Sequence, residues 1–182
     1  LKGDEAERGF AGHLGAAMRG RVTGGIVKLA AGAAAGAAAG AIVADGWSIV
    51  GIAAAIALTA NVVNLTDRAP GRAGKVVLLL ALPVAVLGPT SWTVAAAGLI
   101  GALVACMSHD LAERAMLGDA GANPLGAVVG LGLAAGLSDG WMVVVVAALA
   151  GLNLAAERWS FSQIINSTAW LRALDRVGRR PE

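Results

Sequence analysis

Residues 141–156, "WMVVVVAALAGLNLAA", decide the fold. The quartet Val143 to Val146 is β-branched and invites a strand. A lipid-facing strand must alternate apolar and polar residues, and neither this run nor Leu78 to Leu82 alternates. The stretch therefore reads as a buried or lipid-facing helix. Its surroundings agree: a chain of 182 residues that is 57% hydrophobic and only 14% charged is too apolar for an ordinary soluble domain. Working outward, five further apolar segments stand at 24–44, 47–65, 76–88, 92–107 and 125–137. Some are shorter than the roughly 20 residues a helix needs to cross hydrocarbon, and flanking small and polar residues complete them. The sequence predicts an all-α, polytopic integral membrane protein with six transmembrane helices. It forms a single membrane domain over 1–182: a cytoplasmic segment 1–23, the six spans within 24–156, and an amphipathic cytoplasmic tail 157–182.

Gly32, Gly36 and Gly40 recur at every fourth position of "GAAAGAAAG", which draws a groove for close helix approach; low-complexity filler is the alternative. If the segments alternate across the membrane, every Lys and Arg falls on or within a turn of one side, with Lys28 and Lys75 at helix mouths. Positive charge marks that side, and with it both termini, as cytoplasmic. Trp47, Trp92 and Trp141 open the second, fourth and sixth segments on the opposite face, where indoles favour the headgroup layer. Cys106, the single cysteine, has no partner for a disulfide or thiolate metal site and reads as a small apolar packer. No cleavable signal is recognisable in the polar opening "LKGDEAERGF", and Leu1 in place of Met suggests a processed or partial chain.

Polar chemistry collects on the expected inner face. Asn61, Asn64 and Asp67 follow one another at three-residue spacing at the end of the second segment, so they stack along one side of a helix mouth. Amides inside a membrane helix are costly unless they face protein, water or ligand; helix-to-helix hydrogen bonding is the plain alternative. The second acidic turn is "MLGDAGANPLG", in which Gly118 and Gly121 flank Asp119. Asn123 and Pro124 predict an N-cap and first-turn proline for the fifth segment, with N–H groups that attract phosphate. Carboxylates beside such a terminus suit Mg²⁺ holding a diphosphate. Arg68, Arg72, Lys75 and Arg114 share these loops and can neutralise phosphate charge. "APGRAGKV" fails as a phosphate-binding loop, because Ala69 and Val76 replace the required glycine and hydroxyl. His13 and His109 lack metal-ligand spacing and read as loop residues.

"NVVNLTD" followed further along by "MLGDAGANPLG" resembles the polyprenyl-phosphate N-acetylhexosamine-1-phosphate transferases, the family of phospho-N-acetylmuramoyl-pentapeptide transferase. "ERGFAGHLGAAMRGRVTGGIVKL" is similar to the family's cytoplasmic segment. The resemblance implies Mg²⁺-dependent transfer of a sugar 1-phosphate from a UDP-sugar to a polyprenyl phosphate at the cytoplasmic face of a bacterial inner (plasma) membrane, for cell-envelope biosynthesis. It implies Asp67 and Asp119 as catalytic carboxylates and metal ligands, and Asn61, Asn64, Gly118 and Gly121 as substrate-binding residues. UDP-sugar, polyprenyl phosphate and membrane lipids would be the partners; nucleic acid would not, and a homodimer is left open. The family's second aspartate is replaced here by Pro70, its paired aspartates have no counterpart in Asp4 and Glu5, and its histidine-rich motif is missing. These departures imply either the C-terminal portion of such an enzyme or an inactive membrane scaffold or subunit that keeps the fold. A transporter is a third reading, weakened by the clustering of polar residues at one face.

In the tail, Phe161, Ile164, Ile165, Leu171 and Leu174 keep helical spacing, with Arg158, Arg172, Arg176, Arg179 and Arg180 supplying charge. This pattern, with Trp159 and Trp170, predicts a helix in the inner headgroup layer; a partner-binding helix is the alternative.

Overall fold

The computed structural model describes residues 9–179. Asp4, Glu5 and Arg180 lie outside the described residues. Among these residues the chain is entirely helical apart from its turns: α1 (Gly9–Met18), α2 (Gly24–Val43), α3 (Ser48–Thr66), α4 (Arg72–Leu87), α5 (Thr90–Asp110), α6 (Gly118–Gly136), α7 (Asp139–Arg158), α8 (Phe161–Ser167) and α9 (Ala169–Arg176). The six apolar segments correspond to α2 through α7, one for one. Three of these helices, α3, α5 and α7, are long and apolar enough to cross a bilayer.

The helices outrun the apolar pattern at one end. Arg72, Lys75, His109, Asp110, Asp119 and Asn123 all lie inside helices, because backbone hydrogen bonding continues after the side chains turn polar. Pro124 is therefore not a first-turn proline. It lies inside α6, which opens at Gly118 when the Gly121 N–H closes on the Leu117 carbonyl at 3.2 Å. Pro124 cannot donate back to Ala120, but both residues are exposed, so water can serve that carbonyl.

α3 is the central helix, packed most extensively on α6 and also on α2, α7 and α4. Its buried residues, Ile52, Ala55, Ile56, Thr59, Val62, Val63 and Thr66, follow helical spacing. Facing them, Ala122, Gly126, Gly130 and Ala134 repeat every fourth residue along α6, and all four are buried. A β-carbon at Gly126 would lie 2.6 Å from the Ala60 Cα, and one at Gly130 would lie 2.7 Å from the Ala55 carbonyl oxygen. The two backbones touch, as small-residue seams allow. The cost falls on Thr59, whose buried hydroxyl has no hydrogen-bond partner among the described residues.

The glycine stripe of α2 also packs on α3. Gly36 sits against Ala53, with a β-carbon 3.0 Å from its carbonyl oxygen, and Gly40 sits against Ile49; Gly32 faces open space. Val63, Val77 and Val129 close the core where α3, α4 and α6 meet. Trp92 joins that core rather than the headgroup layer expected for it. Its indole covers Gly132, where a β-carbon would meet the ring at 2.4 Å, and its N–H donates to the Val128 carbonyl at 2.7 Å. Trp47 and Trp141 are exposed, as the belt reading requires, at 90% and 62%. Cys106 is exposed and packs no core. His109 lies in the last turn of α5, not a loop, beside the Ser108 hydroxyl.

The seam predicts an asymmetry among glycines. Gly126→Ala forces α3 and α6 apart and should cost about 1–3 kcal/mol or more, read as a lower melting temperature of detergent-solubilised protein. Gly32→Ala should leave that temperature unchanged or higher; equal effects at the two sites would refute the seam.

Candidate functional site

The α3–α4 turn, the α5–α6 connection and the tail after α7 come together at one end of the bundle. Ala69-Pro70-Gly71-Arg72 forms a type II turn: the Arg72 N–H reaches the Ala69 carbonyl at 3.1 Å, and Gly71 takes φ 67°. The turn holds Asp67, the C-cap of α3, against the start of α6. There its carboxylate accepts the backbone N–H of Gly118 and feels the charges of Asp110 and Asp119. Burial pushes the Asp67 carboxyl above its usual range; the Gly118 N–H pulls it partly back, and the two aspartates add to the rise.

A cavity of about 450 Å³ opens beside this contact, lined by Asp67, Arg68, Ala69, Pro70, Asp110, Glu113, Arg114, Ala115 and Met116. Asp119 stands next to the lining, in the first turn of α6, where a carboxylate favours the helix dipole. Glu113 takes φ 59° in a Schellman close to α5: its N–H bonds the Asp110 carbonyl, and the Arg114 N–H bonds the His109 carbonyl. Glycine is usual there, so Glu113 carries local strain at the cavity wall.

Of the residues singled out from sequence, the structure gathers Asp67, Gly118 and Asp119. Gly121 lies one turn into α6. Asn61 is elsewhere: its amide donates to Asn153 of α7, whose own amide serves the Leu149 and Leu58 carbonyls at 2.7 and 3.2 Å. Three-residue steps on a helix retreat by about 60° each, so six residues separate Asn61 from Asp67 by about 120° around α3. Asn64 lies between them, and its carbonyl accepts the Asp67 N–H.

Arg68 and Arg114 line the cavity, but Arg72 and Lys75 do not reach it. Arg72, buried at the start of α4, makes a two-pronged pair with Asp175 of α9 at 2.8 and 2.9 Å and donates to the Ser162 hydroxyl at 2.8 Å. Lys75 donates to the Asp175 carbonyl at 2.6 Å, and Arg179 reaches the second Asp175 oxygen at 2.6 Å. Burial opposes ionisation of Asp175, but the Arg72 hydrogen bonds and the charges of Arg72, Arg179 and Lys75 outweigh it and hold the carboxyl below its usual range. Leu111 completes the junction, touching the positions a β-carbon would take at both Gly71 and Gly178.

Among the described residues, no three His, Cys, Asp or Glu side chains converge as a preformed metal cage. The donor set is all oxygen and few in number, which fits a hard cation that keeps its waters and shares a substrate phosphate rather than one requiring nitrogen or sulfur. The positive end of α6 is already met by Asp67 and Asp119. Asp110 and the tail latch escaped the sequence reading; the only cue to Asp110 was a carboxylate closing an apolar helix. No protein-family model, curated protein or solved structure matches this chain.

The latch is testable directly. Asp175→Asn leaves Arg72 buried without its counter-ion and with one of its two hydrogen bonds to this residue, and should cost about 3 kcal/mol, with α9 amides losing protection from hydrogen exchange. Because the folded carboxyl is depressed, its stabilisation is present above the unfolded value near 4 and is lost as pH falls below it. Unchanged protection factors in α9 between neutral and acid pH, after correction for the intrinsic exchange rate, would contradict this.

Proposed function

We propose that the chain is a multi-pass protein of a bacterial inner membrane, with α2 through α7 as six spans and both termini cytoplasmic. We infer that it carries out Mg²⁺-dependent transfer of a sugar 1-phosphate from a UDP-sugar to a polyprenyl phosphate, or forms the C-terminal part of such an enzyme. The supporting observation is the meeting of Asp67 with Gly118 and the charge of Asp119, from two motifs far apart in sequence, beside a cavity holding Arg68 and Arg114. Exposed apolar side chains on α4, α5 and α7, among them Leu79, Val94 and Val143, suit contact with lipid.

In this reading Asp67 and Asp119 hold Mg²⁺, which supplies charge neutralisation on the diphosphate oxygens when bound. Arg68 and Arg114 bind the phosphates from the cavity wall, and the type II turn fixes Asp67 so that little reorganisation is needed. Asp67 resists ionisation without a cation. Its raised carboxyl costs the fold stability as pH rises through the carboxylate range, and cation binding reverses that cost.

A second reading has its own support. Arg72 and Lys75 serve the tail, and Pro70 stands where the family carries a second aspartate, which favours an inactive scaffold or subunit retaining a nucleotide or lipid-phosphate pocket. Exchange of labelled UMP into a UDP-sugar, in membranes with Mg²⁺ and polyprenyl phosphate, separates the two. The enzyme reading expects exchange that falls about a hundredfold or more in Asp119→Asn and in Asp67→Asn. The scaffold reading expects no exchange, but thermal stabilisation by UDP-sugar and Mg²⁺ that Asp67→Asn abolishes. Absence of both signals would remove the nucleotide-sugar site altogether.

A further inference from the structure

α9 docks on the bundle by its polar side. Asp175 is its buried residue, held by Arg72 and Arg179, while Trp170, Leu174 and Val177 at its end stand 64%, 56% and 61% exposed. At about 100° per residue these three share one face, and Arg172 and Arg176 lie to the other side of the docked edge. A helix that buries its carboxylate and leaves its indole outside is oriented by the latch, and water alone is a poor cover for such a face. Asp175 is the helix's one acid and is already neutralised, so the exposed charge of α9 is cationic. One N–H of Arg172 also caps the Asn166 carbonyl at the end of α8.

We propose that the Trp170, Leu174 and Val177 face lies in the anionic headgroup layer of the bilayer that the long apolar helices enter, with Arg172 and Arg176 against lipid phosphates. The proposal rests on the membrane reading above, though not on the transferase reading. Two observations choose lipid as the occupant. The exposed cations match anionic headgroups, each worth a measurable share of surface attraction. The outer surface of α7 that leads into the tail is also apolar, with Val144, Leu152 and Leu154 exposed, before the charged Glu157 and Arg158 and then the exposed Trp159. The latch fixes which side of α9 meets the bundle, and the side left outside carries the indole that a headgroup layer favours.

The test uses the full chain in phosphatidylcholine vesicles, with or without phosphatidylglycerol, whose acyl chains carry bromine near the headgroup. The fluorescence difference between the wild type and Trp170→Phe isolates quenching of Trp170. The expected result is clear quenching, about twofold or more greater with phosphatidylglycerol, and loss of that increment in Arg172→Gln/Arg176→Gln. A dye on Leu174→Cys, in a chain carrying Cys106→Ala so that no other thiol is labelled, gives the same reading where loss of the indole disturbs the fold. Protein that fails to float with vesicles after an alkaline wash overturns the membrane reading and this proposal with it. Protein that floats with Trp170 unquenched overturns this proposal alone, as does a disulfide between two Leu174→Cys copies, which would place a second chain on the face.

Discussion

Contact between the backbones of α3 and α6 is the constraint on which the rest depends. Ala122, Gly126, Gly130 and Ala134 present almost no side chain, so α6 lies directly on Ala55 to Ala60 of α3. Hydrophobic burial supplies little drive between helices within lipid, where contact of small residues and dispersion take its place. Close approach has a geometric result at the helix ends. It sets the last turn of α3 beside the first turn of α6, so the Asp67 carboxylate meets the Gly118 N–H without a long side chain to bridge the gap.

Electrostatics at that end divide into two neighbouring regions of opposite completeness. Around Asp175, Arg72 and Arg179 pair with one carboxylate and Lys75 donates to the same residue's backbone carbonyl. Around Asp67, the carboxylates of Asp110 and Glu113 line an open cavity together with Arg68 and Arg114. The first region is a finished structural joint; the second keeps excess negative charge at a place that water and solutes reach. Perturbed acids of the second kind are the ones that mark working sites, whereas networks of the first kind also arise from architecture alone.

The helices were legible because uninterrupted apolar runs leave few alternatives, and two motifs gave reason to expect Asp67 near Gly118 and within reach of the charge of Asp119. Their ends were less legible, since α4, α5 and α6 continue as helix through Arg72, His109 and Asp119 once the side chains become polar. Trp92 misled because its place at a loop edge looks like an interfacial belt, while the socket that receives it is made by Gly132 on another helix. The glycine repeat of α2 is conspicuous, whereas the tighter seam of α6 uses Ala122, Gly126, Gly130 and Ala134, small residues hidden among leucines and valines. Arg72 looked like one more phosphate-neutralising cation, because nothing local to it announces Asp175.

That last pairing joins residues 103 positions apart, and its consequence concerns the order of assembly. At about 5–20 residues per second, a ribosome finishes Asp175 some 5–20 s after Arg72. Throughout that interval Arg72 lacks its counter-ion at the start of α4 and is best left in water. Arrival of Asp175 then neutralises the cation and draws the tail across the finished bundle, so the joint closes only after the helices it bridges have taken their places.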